Sequence, residues 1–381
     1  MNFKKFTVSL ATMVTLLAPV SVFAQDAIKI GGNFELSGPA ASYGSMMSKA
    51  TQLAIKQAND NKMLDSTVEY VEFDNKSDLT EATSVANRLA SEDVVGVVGP
   101  ATSGDVKAQM SVLDEAKVPS LAPAATLDGL TMKDNGDVFN YFYRVSFEDS
   151  YQGKAAAAYA VDTLGAKKVV VVTDQANDYS LGLADAFKGA FQEKGGQVAS
   201  EASFQTGDTD FSAVLTTLVG LDFDVLYVPV YYTEAGLFIK QAREMGITQP
   251  IVGGDGYHSD ILVELAGAEN ANDVYYTSHF STKSDDEKVK AFIDAYKAEY
   301  NEEPDTFAAL AYDATNVMLD AVKRAGSTDK EAVNKALAET KDFPGITGTF
   351  TIDENHNPVK TATMIKLTSG EVESAEEVTA E

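Results

Sequence analysis

From residue 28 onward, short apolar runs alternate with segments whose apolar positions recur every three or four residues. IKIGGNFEL (28–36), VEYVEF (68–73), VVGVVGP (94–100) and PSLAPAA (119–125) predict strands, and 42–59, 79–91 and 104–116 predict helices. Asp78, followed three residues later by Glu81, gives the second helix a capping-box start. The longer run FNYFYRVSF (139–147) reads as a strand that separates this block from a second one. There helix 150–164 precedes KKVVVVTD (167–174), helix 179–194, QVASEASF (197–204), helix 210–219, DVLYVPVYY (224–232), helix 233–245, QPIVGGDG (249–256), a short helix and DVYYTSHF (273–280). Three further helices (286–300, 306–324, 329–340) and two late strands (347–353, 361–373) complete the pattern.

Runs such as Val169 to Val172 are apolar on both faces, as parallel strands covered by helices on each side must be. Two βα blocks therefore predict two doubly wound parallel-sheet domains, with ligands at the carboxyl ends of the strands. The late helices are surplus if each block is one closed domain. They are accommodated if the chain crosses between domains three times, near 145–149, 277–281 and 346–352. The resulting division is 25–146 plus 280–348 for a first lobe and 147–279 plus 349–381 for a second, joined by a three-crossover hinge of the type that closes domains around a ligand.

The first residues, MNFKKFTVSLATMVTLLAPVSVFAQDA, place two lysines before an apolar run too short to span a membrane, with Val22-Phe23-Ala24 resembling a cleavage site. Residues 1–24 are thus expected to be an export signal, and the rest an exported, soluble protein. That segment contains two lysines and no acid, so 28 basic and 57 acidic side chains remain, a net charge of −29. Such a surface repels nucleic acid and anionic lipid, and neither is an expected partner. The chain of 381 residues contains no cysteine, which excludes disulfides, thiol nucleophiles, thiolate metal sites and lipid attachment through cysteine.

Enzyme chemistry finds little support. His258, His279 and His356 stand isolated, and there is no G-x-S-x-G, H-E-x-x-H, G-x-x-x-x-G-K or G-x-G-x-x-G pattern. DENHNP (353–358) imitates a calcium loop, but Pro358 replaces the glycine and Met364 the bidentate carboxylate. No cofactor or metal is expected. Binding chemistry is better supplied. In VVGPATSGD (97–105) a buried strand turns into a helix start lined by Ala101, Thr102 and Ser103, where hydroxyls and free N–H groups either receive an anion or simply cap their own helix. APAATLDG (122–129) forms a second small-residue turn at an adjacent strand end. In the second block Asp255 lies between glycines that would let a ligand approach, and Tyr179, Tyr231 and Tyr232 stand at other strand ends. An anion site on one domain facing a carboxylate on the other describes a trap for a zwitterion.

Eight segments in order, FELSGPAASYG (34–44), VVGPATSG, PAAT, DYSLGLA (178–184), DTDFSAVL (208–215), YYTEAG, IVGGDG and TFAALAYDA (306–314), resemble the branched-chain amino-acid-binding proteins of ABC importers, of leucine/isoleucine/valine-binding type. The likeness covers nearly all of the chain beyond the signal, and it implies the type I periplasmic binding protein fold. It also implies roles. Ser103 and Thr126 would bind the ligand carboxylate, and the Ala124 carbonyl, the Thr126 hydroxyl and Asp255 would receive its ammonium. Tyr43, Ala101, Thr102, Tyr179, Tyr231 and Phe307 would surround the side chain. Many relatives carry glutamate where Asp255 stands, which keeps the charge and shortens the reach. The partners implied are an amino acid and a membrane permease, with the protein acting as a monomer. Capture of an amide, urea or γ-amino acid, or a soluble sensor role, are the competing readings.

Overall fold

A computed structural model of the chain describes residues 27–380, so the export signal expected at 1–24 lies outside the described residues. Two separate sheets form. The first comprises β1 (Ile28–Phe34), β2 (Val68–Asp74), β3 (Gly96–Val98), β4 (Ser120–Ala122) and β5 (Phe142–Arg144), in the order β2-β1-β3-β4-β5 and parallel throughout. Its helices are α1 (Ala41–Asp60), α2 (Leu79–Ser91) and α3 (Ser103–Glu115).

The chain then leaves this sheet through α4 (Asp149–Asp162). It builds a second sheet from β6 (Lys168–Asp174), β7 (Gln197–Phe204), β8 (Val225–Tyr227), β9 (Ile251–Gly253) and β10 (Val274–Ser278), with α5 (Asp178–Glu193), α6 (Ser212–Leu218), α7 (Tyr232–Glu244) and α8 (Asp260–Ala266) between them. The order β10-β9-β8-β6-β7 repeats that of the first sheet, and β13 (Ala362–Thr368) and β14 (Glu371–Val378) add antiparallel at the β10 edge.

Between β10 and β13 the chain returns to the first sheet. Helices α9 (Glu287–Tyr300), α10 (Thr306–Ala325) and α11 (Lys330–Ala338) follow, with α1 packing on α10 and α9, and α10 resting on β3 and β4. A small hairpin of β11 (Phe343–Gly345) and β12 (Gly348–Phe350) precedes the last passage to the second sheet. The architecture is thus two doubly wound parallel sheets linked by three crossings. Val169 to Val172 are fully buried, and Asp78 caps α2 by accepting from the Thr80 and Glu81 amides, as the sequence predicts.

Three predicted elements differ. The run 139–147 contributes only three residues of strand. Phe139 instead packs with Val106, Leu130 and Phe142, and Val145 and Phe147 are buried within the crossing, so their apolarity serves loop burial. The run 347–353 holds one strand of a hairpin rather than a continuing strand. The run 361–373 is the first half of a β-hairpin that turns at Ser369 and Gly370, both with positive φ, and returns as the acidic β14. The charged residues of β14 suit an edge, where they discourage pairing with another chain.

In both sheets the strand order reverses beside the first strand, and the loops at the carboxyl ends of β1, β3, β6 and β8 border the crevices this creates. Gly99 makes one of these loops possible. It has φ of +102°, and an added Cβ would lie 2.2 Å from the Asn33 carbonyl oxygen, so the chain turns tightly from β3 into α3 only with glycine there.

Candidate functional site

The crevices of the two sheets face each other and enclose a narrow cavity. Its walls are Tyr43, Ala101, Thr102, Ser103, Ala124, Thr126, Tyr179, Tyr231, Asp255, Gly256 and Phe307. All ten residues singled out in the sequence are therefore brought together, with Gly256 the one addition. A larger open groove of about 1420 Å³ lies among α1, α9, α10 and β11, but its Arg324 is committed to Asp320, the Ala336 carbonyl and Thr340. None of the unpartnered buried side-chain atoms among the described residues lies in that groove.

On the first sheet the α3 start explains itself from local chemistry. Thr102 is the cap, its hydroxyl accepting from the Asp105 amide at 3.4 Å and donating to the Asp105 carboxylate at 3.0 Å. Ser103 is not used that way. Its hydroxyl oxygen accepts only from the Leu127 amide at 3.3 Å and keeps its own hydrogen to donate, and its N–H has no partner among the described residues. The Ala124 carbonyl is equally free, whereas that of Ala125 takes Ser146 and Arg144. Of the two readings of Thr102 and Ser103, capping is true of the first, and the second faces the cavity with a donor pair.

Glu35 stands beneath this turn, fully buried, and takes the Ala101 and Thr102 amides at 3.0 Å each. These two amides are consequently not available to a ligand, which leaves the Ser103 N–H as the donor of the turn. Burial, and then the neighbouring charge of Asp105, push the Glu35 carboxyl up to about 8. The native state thus binds a proton there that the unfolded state, with its value near 4.5, has lost. The stabilisation is complete below pH ~4.5, is lost as pH rises towards 8, and is flat above. Thermal melts of Glu35→Gln are expected to decline less between pH 5 and 8 than those of the parent chain. Equal slopes would show that Glu35 carries no such proton.

On the second sheet Asp255 opens a short 3₁₀ turn after β9. One carboxylate oxygen takes the Tyr179 hydroxyl at 3.0 Å and the Gln152 amide at 3.2 Å, and the other faces His279 Nε2 at 3.3 Å. His279 is buried against Phe147, ring centroids 3.6 Å apart, and burial holds its pKa below the ordinary imidazole value. A neutral ring facing a carboxylate through Nε2 carries its hydrogen there, which leaves Nδ1 the unpartnered nitrogen that is observed. The glycines flanking Asp255 admit protein as well as ligand. A Cβ on Gly254 would meet the Tyr179 hydroxyl at 2.3 Å, and one on Gly256 would meet the Tyr231 ring at 3.0 Å.

Aromatic rings close the remaining sides. Tyr43 stacks on Phe307 with centroids 4.0 Å apart and meets Tyr231 edge-on at 5.6 Å, and Tyr231 stacks on Tyr179 at 5.1 Å. Tyr43 also spans the cleft, its hydroxyl donating to the Gly256 carbonyl at 2.5 Å. Tyr232, outside the cavity wall, donates to the Pro39 carbonyl at 2.7 Å, Ser42 meets Ser259 at 2.9 Å, and Lys107 pairs with Asp178 at 2.8 Å. The two halves are therefore closed on each other.

Glu35, Gln152 and His279 were not legible as site residues. Gln152 is 103 positions from Asp255 and His279 is 24. Only the fold brings these supports to the carboxylate.

The periplasmic binding protein family matches residues 27–371. The Leu/Ile/Val-binding protein BraC3 of Rhizobium johnstonii is 31% identical over 369 residues, covering 96% of this chain and 98% of that protein. Among solved structures, the branched-chain amino acid transporter substrate binding protein LivJ from Streptococcus pneumoniae, in complex with isoleucine, is 45% identical with a TM-score of 0.88, covering 93% of this chain and all of that one. The leucine binding protein LivK from Thermotoga maritima is 35% identical with a TM-score of 0.86, covering 93% of this chain and 99% of its own. Matched over nearly its whole described length by family, sequence and fold, the chain belongs to the periplasmic binding protein family.

Proposed function

We propose that the protein captures aliphatic, branched-chain amino acids between two closing lobes and delivers them to the membrane permease of an ABC importer. The observation that carries this reading is the composition of one enclosed cavity. Unpartnered donors at Ser103 lie on one sheet, a held carboxylate at Asp255 on the other, and aromatic walls between. Relatives named for leucine, isoleucine and valine, and a similar structure holding isoleucine, support it. The lobes are taken as 25–146 plus 280–348 and 147–279 plus 349–381, with the protein an exported monomer that performs no catalysis itself.

In this reading Ser103, with Thr126, receives the ligand carboxylate. The Ala124 carbonyl, the Thr126 hydroxyl and Asp255 receive the ammonium. Tyr43, Ala101, Thr102, Tyr179, Tyr231 and Phe307 enclose the side chain. Charge-assisted hydrogen bonds contribute about 1.5–3 kcal/mol each, so several on one zwitterion support micromolar or tighter binding, about −8 kcal/mol. A methylene in the apolar wall discriminates by only ~1–3 kcal/mol. Calorimetric titration of ligand-stripped protein with Leu, Ile, Val, Ala, Thr and Glu is the test. Leu, Ile and Val are expected to bind at micromolar or better and Glu not at all. Folded protein that binds none of the three would reject the assignment and favour amides, urea or other small polar solutes.

A further inference from the structure

Behind Asp255 lies a second carboxyl group that the ligand roles above leave unused. Asp149, the first residue of α4, is fully buried. One of its oxygens takes the Gln152 side-chain amide at 2.9 Å, and the same nitrogen reaches Asp255 at 3.2 Å. The orientation of that amide is set from its far end, where its oxygen accepts from the Thr277 hydroxyl at 2.7 Å. One N–H₂ group therefore straddles two buried carboxyls. The second oxygen of Asp149 makes no hydrogen bond among the described residues, and Gly182, at the neighbouring turn of α5, leaves the room it occupies.

The groups that face this carboxyl supply little neutralising charge. Asp255 and Asp128 are acidic, and Tyr179 and Tyr227 are phenols whose pKa values burial raises. His279 on the far side of Asp255 is neutral. Of the cations nearby among the described residues, Arg144 feels Asp149 but is committed to Glu148, Asn357 and the carbonyls of Ala125 and Leu127, and Lys360, which reaches His279 electrostatically, is held by the Val145 carbonyl and the Thr347 hydroxyl. The nearby Thr126 hydroxyl and the N-terminal end of α4 favour the charged form, but burial outweighs them and pushes Asp149 up to about 8. Two carboxylates this close in a water-poor site do not both ionise without a cation.

We propose that Asp149 is a second acid of the ammonium subsite, keeping its proton while the cavity is empty and releasing it to solvent when a cationic nitrogen docks against Asp255. The inference rests on the ligand reading given above. The carboxyl O–H bond breaks, the proton passes to a buffer base, and the ligand's ammonium supplies the positive charge that lets Asp149 ionise. Affinity then rises with pH up to about 8, because the complex binds fewer protons than the empty protein. Glu35, on the opposite wall, is also raised to about 8 and remains in any Asp149 variant, so the difference between the two proteins isolates Asp149.

The experiment is calorimetric titration of isoleucine at pH 7, in phosphate and in Tris, for the parent chain and for Asp149→Asn, which preserves shape and the Gln152 contact. The parent is expected to release up to about one proton per isoleucine, and its affinity to rise by as much as about tenfold per pH unit between pH 6 and 8. The variant is expected to release about one proton fewer than the parent and to show a correspondingly flatter profile. Buffer-independent heat in the parent, or equal proton release in the variant, overturns the inference while leaving the ligand assignment intact. If that variant does not fold, Asp149→Ser takes its place, with Glu35 again common to both proteins. Absence of isoleucine, leucine and valine binding overturns both.

Discussion

Replacing Asp255 by asparagine is expected to weaken leucine binding by about 2–5 kcal/mol, at least about 30-fold, with little change in melting temperature. The loss follows from taking away the buried charge proposed to face the ligand's ammonium. The stability follows from the local geometry. An asparagine oxygen can keep the bonds from Tyr179 and Gln152, and its amide would face His279 Nε2. Because His279 Nδ1 has no partner to lose, the ring can move its hydrogen there and accept at Nε2. Calorimetry and a thermal melt on the same preparation check both halves. Undiminished affinity would remove Asp255 from the ammonium site.

The second large effect is expected at Arg144, which holds the site together from behind. Its guanidinium is wholly buried, donates to the Leu127 carbonyl at 2.8 Å and the Ala125 carbonyl at 3.3 Å, and meets Asn357 at 2.6 Å and Glu148. These contacts anchor the 124–127 turn, which carries Ala124 and Thr126, to the first crossing and to the chain near 357. Burial lowers the Arg144 pKa, and the neighbouring acids, Glu148 foremost, oppose this. Arg144→Met fills the volume and deletes every donor, leaving the Leu127 carbonyl without this bond. A loss of about 3–5 kcal/mol is expected, a fall in melting temperature on the order of 5–10 °C. Affinity should fall by a similar factor for Leu, Ile and Val, since the head-group turn is loosened and the side-chain wall is not. A melt within 1 °C of the parent, or a loss confined to one ligand, would contradict this role.

Much of the fold could be read from the sequence because its signals are local. The Val169–Val172 run, the Asp78 cap and the alternation of strand and helix each act within one element. Where the reading failed, apolarity or polarity was serving another end. Phe139 and Val145 are apolar because they line a loop and a crossing, and β14 is acidic because it is an edge. The ten cavity residues were legible because they sit at strand ends or helix starts within recognisable segments. Their supports were not. Glu35 reaches Ala101 across 66 positions and Gln152 reaches Asp255 across 103, and neither segment has a local pattern that marks such a partnership.

The central claim is that the first half of the molecule grips the carboxylate of a zwitterion and that Asp255, on the second, completes the grip on its ammonium. Its most direct test is titration of the same protein with leucine, with leucinamide, which lacks the carboxylate, and with isocaproate, which lacks the amine. Micromolar or tighter binding of leucine, with each analogue weakened at least about 30-fold, is the predicted result, since each loses charge-assisted bonds worth about 2 kcal/mol or more. Either analogue binding as tightly as leucine would mean that the corresponding wall, Ser103 and Thr126 for leucinamide or Asp255 for isocaproate, does not grip the ligand.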